Sequence, residues 1–406
     1  MKNFNGIFTI GLACFLTVPA LSVTPETGII EANMEEMLSR ELSAFRDTTG
    51  LEQGGIAVYV ATPENDCFAA SGFAEGIDAN THFRAASTTK TFTAASVMLL
   101  YSRGMLDIDD TVVSSIPGTD TPYLPDTPEY DVPYKDRITI RQLLGHRAGV
   151  FDVSNDPIPE SADAPYAGQS YIEYVREVKG DDNHTFTFDE LAGVISCNDL
   201  SYFEPGEGFH YSNTGYLMLG KIIERVSGQS FADFVRTSFV EPLGLENTSF
   251  PVRGTDTEIP APYASGYTLF GGEIFETTLD NMSPHVAEGN VITTPSDLSR
   301  WFTLLLSGRA GFDMDIVHEM TDVQPTHEHH VWYGLGITMT PGLGYGHNGG
   351  HIGYMTVARY DPADSVSVVV FSSFLAPEYF EQQGELLIRT AREAKEICGY
   401  DAFIDD

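Results

Sequence analysis

The sequence predicts an α+β fold in which a central antiparallel sheet is built from both ends of the chain. Two observations lead to this prediction. Runs with the composition of β-strands lie near the N-terminus and again near the C-terminus, and the chain between them is mainly helical with long loops. Such an arrangement favours one sheet assembled from the two chain ends, flanked by helices, with a mainly helical domain inserted.

The first elements are a helix and a β-hairpin. Apolar residues recur at spacings of three and four over residues 29–48, which predicts a helix. Residues 56–61 are rich in β-branched and apolar side chains, and the turn-like sequence at 63–66 leads to a second strand over 67–73. These two strands form the N-terminal share of the sheet.

The middle and the C-terminal end complete the pattern. Apolar periodicity and helix-ending glycines predict helices at 87–101, 140–144, 215–226, 230–239 and 295–307. The C-terminal strands are predicted at 333–339, 353–360 and 365–372, before a closing helix at 381–394. We therefore expect an α/β part at 23–85 and 285–406, a helical part at 86–284, and the active site in the crevice between them.

Residues 1–22 have the features of a secretory signal peptide. Lys2 gives a positive start, the apolar run at 7–18 is too short to span a bilayer comfortably, and small residues follow at Ala20 and Ser22. A lipoprotein signal ending at Cys14 is the alternative, and Gly11 three residues before that cysteine disfavours it. We expect a secreted or periplasmic protein with no stable membrane insertion after signal removal.

Acidic side chains dominate the charged residues. The chain has 58 Asp and Glu against 22 Lys and Arg, a formal net charge of −36. Such a surface repels nucleic acid and anionic membranes. The acidic residues are spread along the chain, which is typical of a solvated surface and not of an acidic docking tail. The expected partner is a small-molecule or peptide substrate, and the sequence does not indicate an oligomeric state.

Cysteines and histidines offer little evidence for a metal or a cofactor. Cleavage after Ala20 would leave Cys67, Cys197 and Cys398, which is not a disulfide framework, and their spacing does not select a pair. No CxxC pair occurs. The run of His327, Glu328, His329 and His330 lacks the H-E-x-x-H spacing and is interpreted as a surface loop. We expect neither a metal nor a cofactor.

The strongest chemical signal is Ser87-Thr88-Thr89-Lys90. Three residues apart on a helix, Ser87 and Lys90 share one face. A serine hydroxyl needs a base to become a nucleophile, and a lysine amine can be that base when desolvation lowers its pKa. The residues after Lys90 are apolar nearly all round, so an unpartnered lysine there would be costly. A backbone N–H at the helix start could also donate to an oxyanion.

Two further motifs fit the same chemistry. In Tyr211-Ser212-Asn213, a tyrosine could carry a proton to a leaving group and Asn213 could bind a substrate amide. In His347-Asn348-Gly349-Gly350, the glycines would let a substrate approach the strand edge, and the N–H of Gly350 could complete the oxyanion hole with that of Ser87. The alternative for the tripeptide is an aromatic ring that only packs. The alternative for the glycines is a flexible turn.

Together these motifs resemble the penicillin-recognising serine hydrolases, which include class C β-lactamases, D-alanyl-D-alanine carboxypeptidases, D-aminopeptidases and related esterases. Segments that strengthen the resemblance are FRAAS at 83–87, LDIDDTV at 106–112, ITIRQLLGHRAG at 138–149, FHYSNTGYLMLG at 209–220 and EGNVITTPSDL at 288–298. The resemblance covers roughly residues 30–395 and implies a β-lactamase-like fold.

The resemblance also implies the roles of the site residues. Ser87 corresponds to the acylated nucleophile, Lys90 to its base partner and Tyr211 to the second proton carrier. Asn213 corresponds to the substrate-amide contact, and the N–H groups of Ser87 and Gly350 to the oxyanion hole.

One departure narrows the expected activity. Class C β-lactamases usually present K-T-G in the third motif, where this chain has His347-Asn348-Gly349. Because histidine titrates near neutrality, we expect His347 to carry a charge only part of the time. We therefore expect an acyl-enzyme hydrolase acting as a D-stereospecific peptidase or carboxypeptidase. An esterase or weak β-lactamase, and a non-catalytic penicillin- or peptide-binding module, are the alternatives.

Overall fold

The protein is described by a computed structural model that covers residues 25–74, 76–326 and 331–402. The predicted signal peptide at 1–22, Cys14 and the histidine-rich run at 327–330 lie outside the described residues. Within them, no helix has the length and apolar character needed to cross a bilayer.

Strands occur mainly near the two chain ends. They are β1 Ile56–Ala61, β2 Asp66–Ser71, β3 Phe83–Ala86, β4 Tyr267–Phe270, β5 Glu273–Glu276, β6 Val291–Thr293, β7 Gln324–Pro325, β8 Trp332–Tyr333, β9 Thr338–Thr340, β10 Gly344–His351, β11 Tyr354–Asp361, β12 Val366–Ser372 and β13 Phe374–Leu375.

Helices occupy most of the middle and both termini of the described chain. They are α1 Pro25–Thr49, α2 Thr89–Ser102, α3 Ile140–Leu144, α4 Tyr171–Glu173, α5 Phe188–Asn198, α6 Asn213–Ser227, α7 Phe231–Val235, α8 Glu241–Leu243, α9 Pro295–Leu306, α10 Met314–Met320 and α11 Phe380–Ile397. Short 3₁₀ segments at Pro128–Tyr130, Ser283–His285 and Pro377–Tyr379, and π segments at Tyr174–Val178 and Arg236–Val240, complete the elements.

The large sheet joins the two ends of the chain, as predicted. Its eight strands run in the order β2-β1-β12-β11-β10-β9-β8-β7, and every adjacent pair is antiparallel. β1 pairs with β12 from Ile56 opposite Ser372 to Ala61 opposite Ser367. The α+β prediction with a central sheet from both chain ends is therefore confirmed.

Both faces of the sheet are buried at β1, β11 and β12, which explains the apolar composition of these strands. Along β1, Val58 and Val60 belong to an apolar cluster that contains residues of α1 and α11. Ala57 and Tyr59 belong to a second cluster with residues of α2, α6 and α9. This alternation is the period of two that a strand imposes on its side chains. The second cluster connects the sheet to the helical middle of the chain.

Three local details differ from the predictions. The strand predicted at 333–339 is interrupted between β8 and β9, because Gly336 has φ +73° and lies so close to α2 that an added Cβ would be 2.4 Å from the Cβ of Ala94. The helix predicted at 230–239 continues after α7 as a π segment. β4 and β5 lie within the segment predicted as mainly helical. The boundaries at 85–86 and 284–285 between the two parts stay predictions.

Candidate active site

Ser87 lies in a tight turn between β3 and α2. Ala86 before it has φ +50°, a left-handed conformation that residues other than glycine rarely adopt. Ser87 is partly exposed, whereas Thr88, Thr89 and Lys90 are buried. The prediction that Ser87 begins the helix is wrong by two residues. The turn still brings the two side chains together, because the N–H of Lys90 bonds the carbonyl of Ser87 at 3.0 Å.

The amine of Lys90 is fully buried and directed at the serine. Its Nζ lies 2.7 Å from Asn213 Oδ1, 2.8 Å from the carbonyl oxygen of Glu288, 3.1 Å from Ser87 Oγ and 3.3 Å from Glu288 Oε2. The two shortest contacts are to atoms that can only accept. A neutral amine would use its two N–H groups there and turn its lone pair towards Ser87. Burial lowers the pKa of Lys90, against the opposing charges of Glu288 and Asp152.

Tyr211 is the third group at the serine. Its ring centre lies 4.7 Å from Lys90 Nζ, which itself lies 3.1 Å from Ser87 Oγ. Burial raises the pKa of Tyr211 well above its usual value, and the bond to Ser87 only partly offsets this. The resting phenol is therefore protonated, so that it can donate a proton but cannot serve as a base in that state.

Asn213 is the first residue of α6, and a buried carboxylate holds it in place. Asp152 Oδ2 accepts the backbone N–H of Asn213 at 3.1 Å, while its other oxygen accepts the N–H groups of Ser154 and Asn155. Burial raises the pKa of Asp152 to about 6. With Asn213 Oδ1 bound to Lys90, its Nδ2 has no hydrogen-bond partner among the described residues. Nδ2 is the donor that a substrate could use.

The structure adds a carboxylate that the sequence motifs did not identify. Glu288 is buried beside Lys90, and its second oxygen is 2.6 Å from His285 Nδ1. Burial by itself would raise the pKa of Glu288, but Lys90 and His285 outweigh it and hold that pKa below the ordinary value. Segment 288–298 was part of the family resemblance, yet nothing in it distinguished Glu288 from the other acidic residues. Glu288 is identified only by its contact with Lys90, which lies far away in the sequence.

His347 has both ring nitrogens engaged by the protein. Its Nδ1 lies 2.5 Å from the carbonyl of Asn348, and its Nε2 is 3.0 Å from the hydroxyl of Tyr333, which in turn is 3.1 Å from His146 Nε2. The N–H of Ser212 donates to His146 Nδ1. Because Nδ1 of His146 accepts this bond, a neutral His146 carries its proton on Nε2 and donates it to the Tyr333 hydroxyl, which in turn donates to Nε2 of His347. The carbonyl of Asn348 can only accept, so His347 carries its proton on Nδ1. All the hydrogen bonds of the chain are therefore satisfied with both imidazole rings neutral.

This arrangement corrects one expectation about His347. Burial lowers the pKa of His347 to about 3, with the charges of Lys90 and Arg359 acting in the same direction. The ring is therefore neutral over the physiological range and does not titrate near neutrality. Its nitrogens are also unavailable to a substrate in this conformation. The interpretation of His146 as a hydrogen-bonded structural residue agrees with the network.

The glycine-rich edge of β10 lies next to the nucleophile turn. The carbonyl of Gly346 accepts a bond from Thr338 Oγ1 of β9 at 3.1 Å, so it points away from β11. Alternate residues of an antiparallel strand orient their backbone groups alike, and Gly350 therefore directs its N–H to the edge that β9 leaves open. At Gly349 an added Cβ would lie 2.2 Å from the carbonyl oxygen of Ala85. The missing side chain at Gly349 therefore makes room for β3 and not for the substrate.

Asn348 lies on the same edge and is exposed. Its Oδ1 accepts a hydrogen bond from the buried guanidinium of Arg359 at 2.7 Å. This contact turns the amide nitrogen of Asn348 away from Arg359. Asn213 and Asn348 therefore offer amide N–H donors, and neutral His347 adds no positive charge between them.

We predict that the pH dependence of the enzyme does not report His347. A limb of kcat/KM near pH 6 is expected from Asp152, with activity rising as the pH increases through this value, because the ionised carboxylate accepts the N–H of Asn213 and holds that residue in place. The pH–rate profiles of His347→Gln and Asp152→Asn, measured against the wild type, test this. The limb should remain in His347→Gln and disappear in Asp152→Asn. Loss of the limb in His347→Gln alone would contradict the assignment.

In the described ranges no group of three or more His, Cys, Asp or Glu side chains is arranged to hold a metal ion. The chemistry available at the site is that of Ser87, Lys90, Tyr211 and Glu288. Of the site residues predicted from the sequence, the structure brings Ser87, Lys90, Tyr211 and Asn213 into direct contact. The motif at 347–350 lies on the neighbouring strand edge.

Comparison with known proteins identifies the family. A profile of the family described as Beta-lactamase matches residues 47–392. Penicillin-binding protein 4* of Bacillus subtilis (strain 168) is 30% identical over 296 residues, which cover 68% of this chain and 57% of that protein. Protein flp of Staphylococcus aureus (strain N315) is 26% identical over 227 residues, covering 56% of this chain and 39% of that protein. The chain thus spans about half the length of the curated relatives that it matches.

Solved structures share the fold. The D-amino acid amidase from Ochrobactrum anthropi SV3, complexed with L-phenylalanine amide, has a TM-score of 0.71 and 23% identity, covering 91% of this chain and 99% of that one. A D-stereospecific amidohydrolase from Streptomyces sp. has a TM-score of 0.70 and 24% identity, covering 85% of this chain and 94% of that one. These likenesses show the β-lactamase-like fold, and the profile match over residues 47–392 places the chain in the β-lactamase family, the penicillin-recognising serine hydrolases.

Proposed function

We propose that this serine hydrolase acts through an acyl-enzyme on Ser87, with Lys90 as the base and Tyr211 as the second proton carrier. The observation that carries the proposal is the arrangement around Lys90. Its two shortest contacts occupy two N–H groups, and its third direction, towards Ser87 Oγ at 3.1 Å, is where a lone pair would lie. The pKa of Lys90, lowered by burial, makes the neutral amine accessible.

In the proposed acylation, each proton that a side chain gives up is later returned to it or passed to the leaving group. Lys90 accepts the hydroxyl proton of Ser87 while Ser87 Oγ bonds to the substrate carbonyl carbon. The oxyanion that forms is bound by the N–H groups of Ser87 and Gly350. Tyr211 donates its proton to the leaving nitrogen as the amide bond breaks, and the proton held by Lys90 returns to Tyr211. Water then repeats the sequence on the acyl carbonyl and releases Ser87.

We propose a D-stereospecific peptidase or amidase as the substrate class. Asn213 and Asn348 would present N–H donors to carbonyl oxygens of the substrate, while His347, neutral and already bonded, adds no positive charge for a terminal carboxylate. A chain with a net charge of −36 also does not attract anionic substrates. The two solved amidohydrolases with D-amino acid or D-stereospecific activity in their names share the fold and motivate the choice of stereochemistry.

A substrate panel tests this proposal. D-phenylalanine amide should be hydrolysed at least about tenfold faster, by kcat/KM, than L-phenylalanine amide, since one pocket holds one side-chain configuration. A D-alanyl-D-alanine peptide, a p-nitrophenyl ester and a chromogenic cephalosporin complete the panel. Equal rates on the two amides would exclude D-stereospecificity, and stoichiometric acylation without turnover would indicate a binding module.

An esterase or weak β-lactamase is the second candidate, and His347 favours it over an efficient β-lactamase. A neutral ring at position 347 lacks the charge that would attract the carboxylate of a β-lactam. Esters have better leaving groups than amides and depend less on Tyr211. The Tyr211→Phe variant should therefore separate the two activities, because amide hydrolysis should fall more than ester hydrolysis.

We also propose that the chain is exported, on the sequence of residues 1–22 alone. N-terminal sequencing of the protein recovered from the extracytoplasmic fraction should give a start near residue 21 or 23. A protein that retains Met1 and the apolar run would exclude cleavage.

A further inference from the structure

A histidine is coupled to the proposed base through a carboxylate. Oε2 of Glu288 lies 3.3 Å from Lys90 Nζ, and Oε1 of the same carboxylate lies 2.6 Å from Nδ1 of His285. An ionised carboxylate only accepts hydrogen bonds, so Nδ1 of His285 is the donor. The side chains of Lys90 and Glu288 are buried, and that of His285 is partly exposed. The proposed acylation uses Ser87, Lys90 and Tyr211 and gives His285 no part.

An unusual backbone turn places this carboxylate beside the base. Ala287 has φ +69°, a left-handed conformation that an alanine keeps only where neighbouring contacts hold it. The hydroxyl of Thr93 donates to the carbonyl of Ala287 at 2.5 Å, and the amine of Lys90 donates to the carbonyl of Glu288 at 2.8 Å. Both donors belong to α2. The turn is therefore fixed to the helix that carries the base, and the carboxylate is fixed with it.

A second histidine packs against His285. His351 is the last residue of β10, and its ring lies edge-to-face with that of His285, the ring centres being 5.1 Å apart. Nε2 of His351 lies 2.8 Å from Asp280 Oδ2, and the guanidinium of Arg176 bonds the other oxygen of Asp280. His285 thus lies between the Glu288 carboxylate and an anchored ring, which keeps its Nδ1 directed at the carboxylate.

The charge of the carboxylate determines what His285 does to the base. Burial lowers the pKa of Lys90, whereas the negative charge of Glu288 raises it. The neutral amine that must take the proton of Ser87 is therefore favoured by burial and opposed by the carboxylate. An N–H group that donates to the carboxylate offsets part of its charge, so that less of that charge acts on the amine. His285 supplies this N–H group.

The other titratable groups that face Lys90 do not offset this charge. Asp152 raises the pKa of Lys90, in the same direction as Glu288. Burial lowers the pKa of the neighbouring histidines and raises the pKa of the neighbouring tyrosines, so that their rings are uncharged. These rings are those of His146, Tyr211, Tyr216 and His347. Among the described residues, only His285 and Lys90 donate side-chain hydrogen bonds to the Glu288 carboxylate.

We propose that His285 is a positioning residue that acts through Glu288 and keeps Lys90 able to lose its proton near neutral pH. The inference rests on the proposed role of Lys90 as the base that activates Ser87. Because the neutral amine is the active form, the acylation rate rises with pH as Lys90 titrates. His285→Phe keeps an aromatic ring and removes the donor, so this limb should move to higher pH by about one unit, and the rate below the limb should fall about tenfold.

The test is the pH dependence of Ser87 acylation by p-nitrophenyl acetate, measured on the full-length chain. His285→Asn keeps an N–H group near the position of Nδ1 and should keep the wild-type limb. Glu288→Gln removes the negative charge and should move the limb to lower pH, opposite to His285→Phe. His318→Phe makes the same replacement at an exposed histidine of α10 and should change nothing.

The titration of Asp152 is separated by repeating each comparison in the Asp152→Asn background, where both shifts should remain. A limb that stays in place in His285→Phe, or that moves equally in His285→Phe and His285→Asn, would overturn the inference and leave the acyl-enzyme intact. If His285→Phe does not fold, Glu288→Gln provides the result, and a limb that does not move to lower pH contradicts the inference. Absence of Ser87 acylation in the wild type would overturn the proposed function and this inference together.

Discussion

Replacing Ser87 with alanine is expected to lower the rate of hydrolysis by about 10⁴-fold or more and to abolish covalent labelling. Ser87 is the hydroxyl that Lys90 Nζ approaches at 3.1 Å and that Tyr211 also contacts. Without it, Lys90 and Tyr211 have no oxygen to activate. The measurements are kcat/KM on the best substrate of the panel and the intact mass after incubation with a fluorescent penicillin or a p-nitrophenyl ester.

A serine in the helix that follows Ser87 provides the matched control. The hydroxyl of Ser102 bonds the carbonyl of Leu99 at the far end of α2, so Ser102→Ala should keep both hydrolysis and labelling. Lys90→Ala and Tyr211→Phe are expected to lose about 10²-fold or more, as for removal of a general base or acid. Hydrolysis that survives Ser87→Ala, or a label recovered on another peptide, would refute the proposed nucleophile.

Removing the carboxylate of Glu288 is expected to cost about 3 kcal/mol or more of the free energy of unfolding. Lys90 and Glu288 are both buried, and Glu288→Ala would remove the carboxylate that lies 3.3 Å from the lysine amine and leave that polar group with one partner fewer. The added substitution Lys90→Met should recover much of the loss, because two apolar side chains leave no buried charge. Urea unfolding of the two single variants and the double variant at pH 7 gives the coupling between the residues.

The contribution of Glu288 to stability should depend on pH. The folded protein lowers the pKa of Glu288, so its contribution is complete above the ordinary value of 4.5 and is lost as the pH falls through the folded value. The difference in the free energy of unfolding between wild type and Glu288→Ala should therefore shrink in acid.

A surface ion pair provides the control. Glu393→Ala removes the partner of Arg40 and should lower the free energy of unfolding by less than about 1 kcal/mol. An equally small cost at Glu288 would show that the buried pair adds no stability.

The sequence predicted those parts of the site that are set by local spacing. Ser87 and Lys90 are three residues apart, and Tyr211 and Asn213 are two residues apart, so each pair could be assigned to one site without a structure. The strands at 56–61 and 365–372 were also predictable, because an apolar strand buried on both faces has a distinctive composition.

What the sequence did not predict depends on distance and burial. Glu288 and Asp152 act on Lys90 and Asn213 from far along the chain, and each is one acidic residue among 58. The neutrality of His347 could not be read from its neighbours either. It follows from desolvation and from a hydrogen-bonded chain that ends on a single backbone N–H of Ser212. These contacts and the neutral state of His347 arise only when the chain has folded and the side chains are buried.

The pairing of β1 with β12 has a consequence for when activity can arise. A ribosome that has completed α2 and α6 has already made Ser87, Lys90 and Tyr211, but β12, which pairs with β1, and the edge of β10 are still to be synthesised. Contacts between such distant segments form slowly, because a long loop must close first. A nascent chain therefore carries its nucleophile without a working catalytic centre until β10 and β12 have been added.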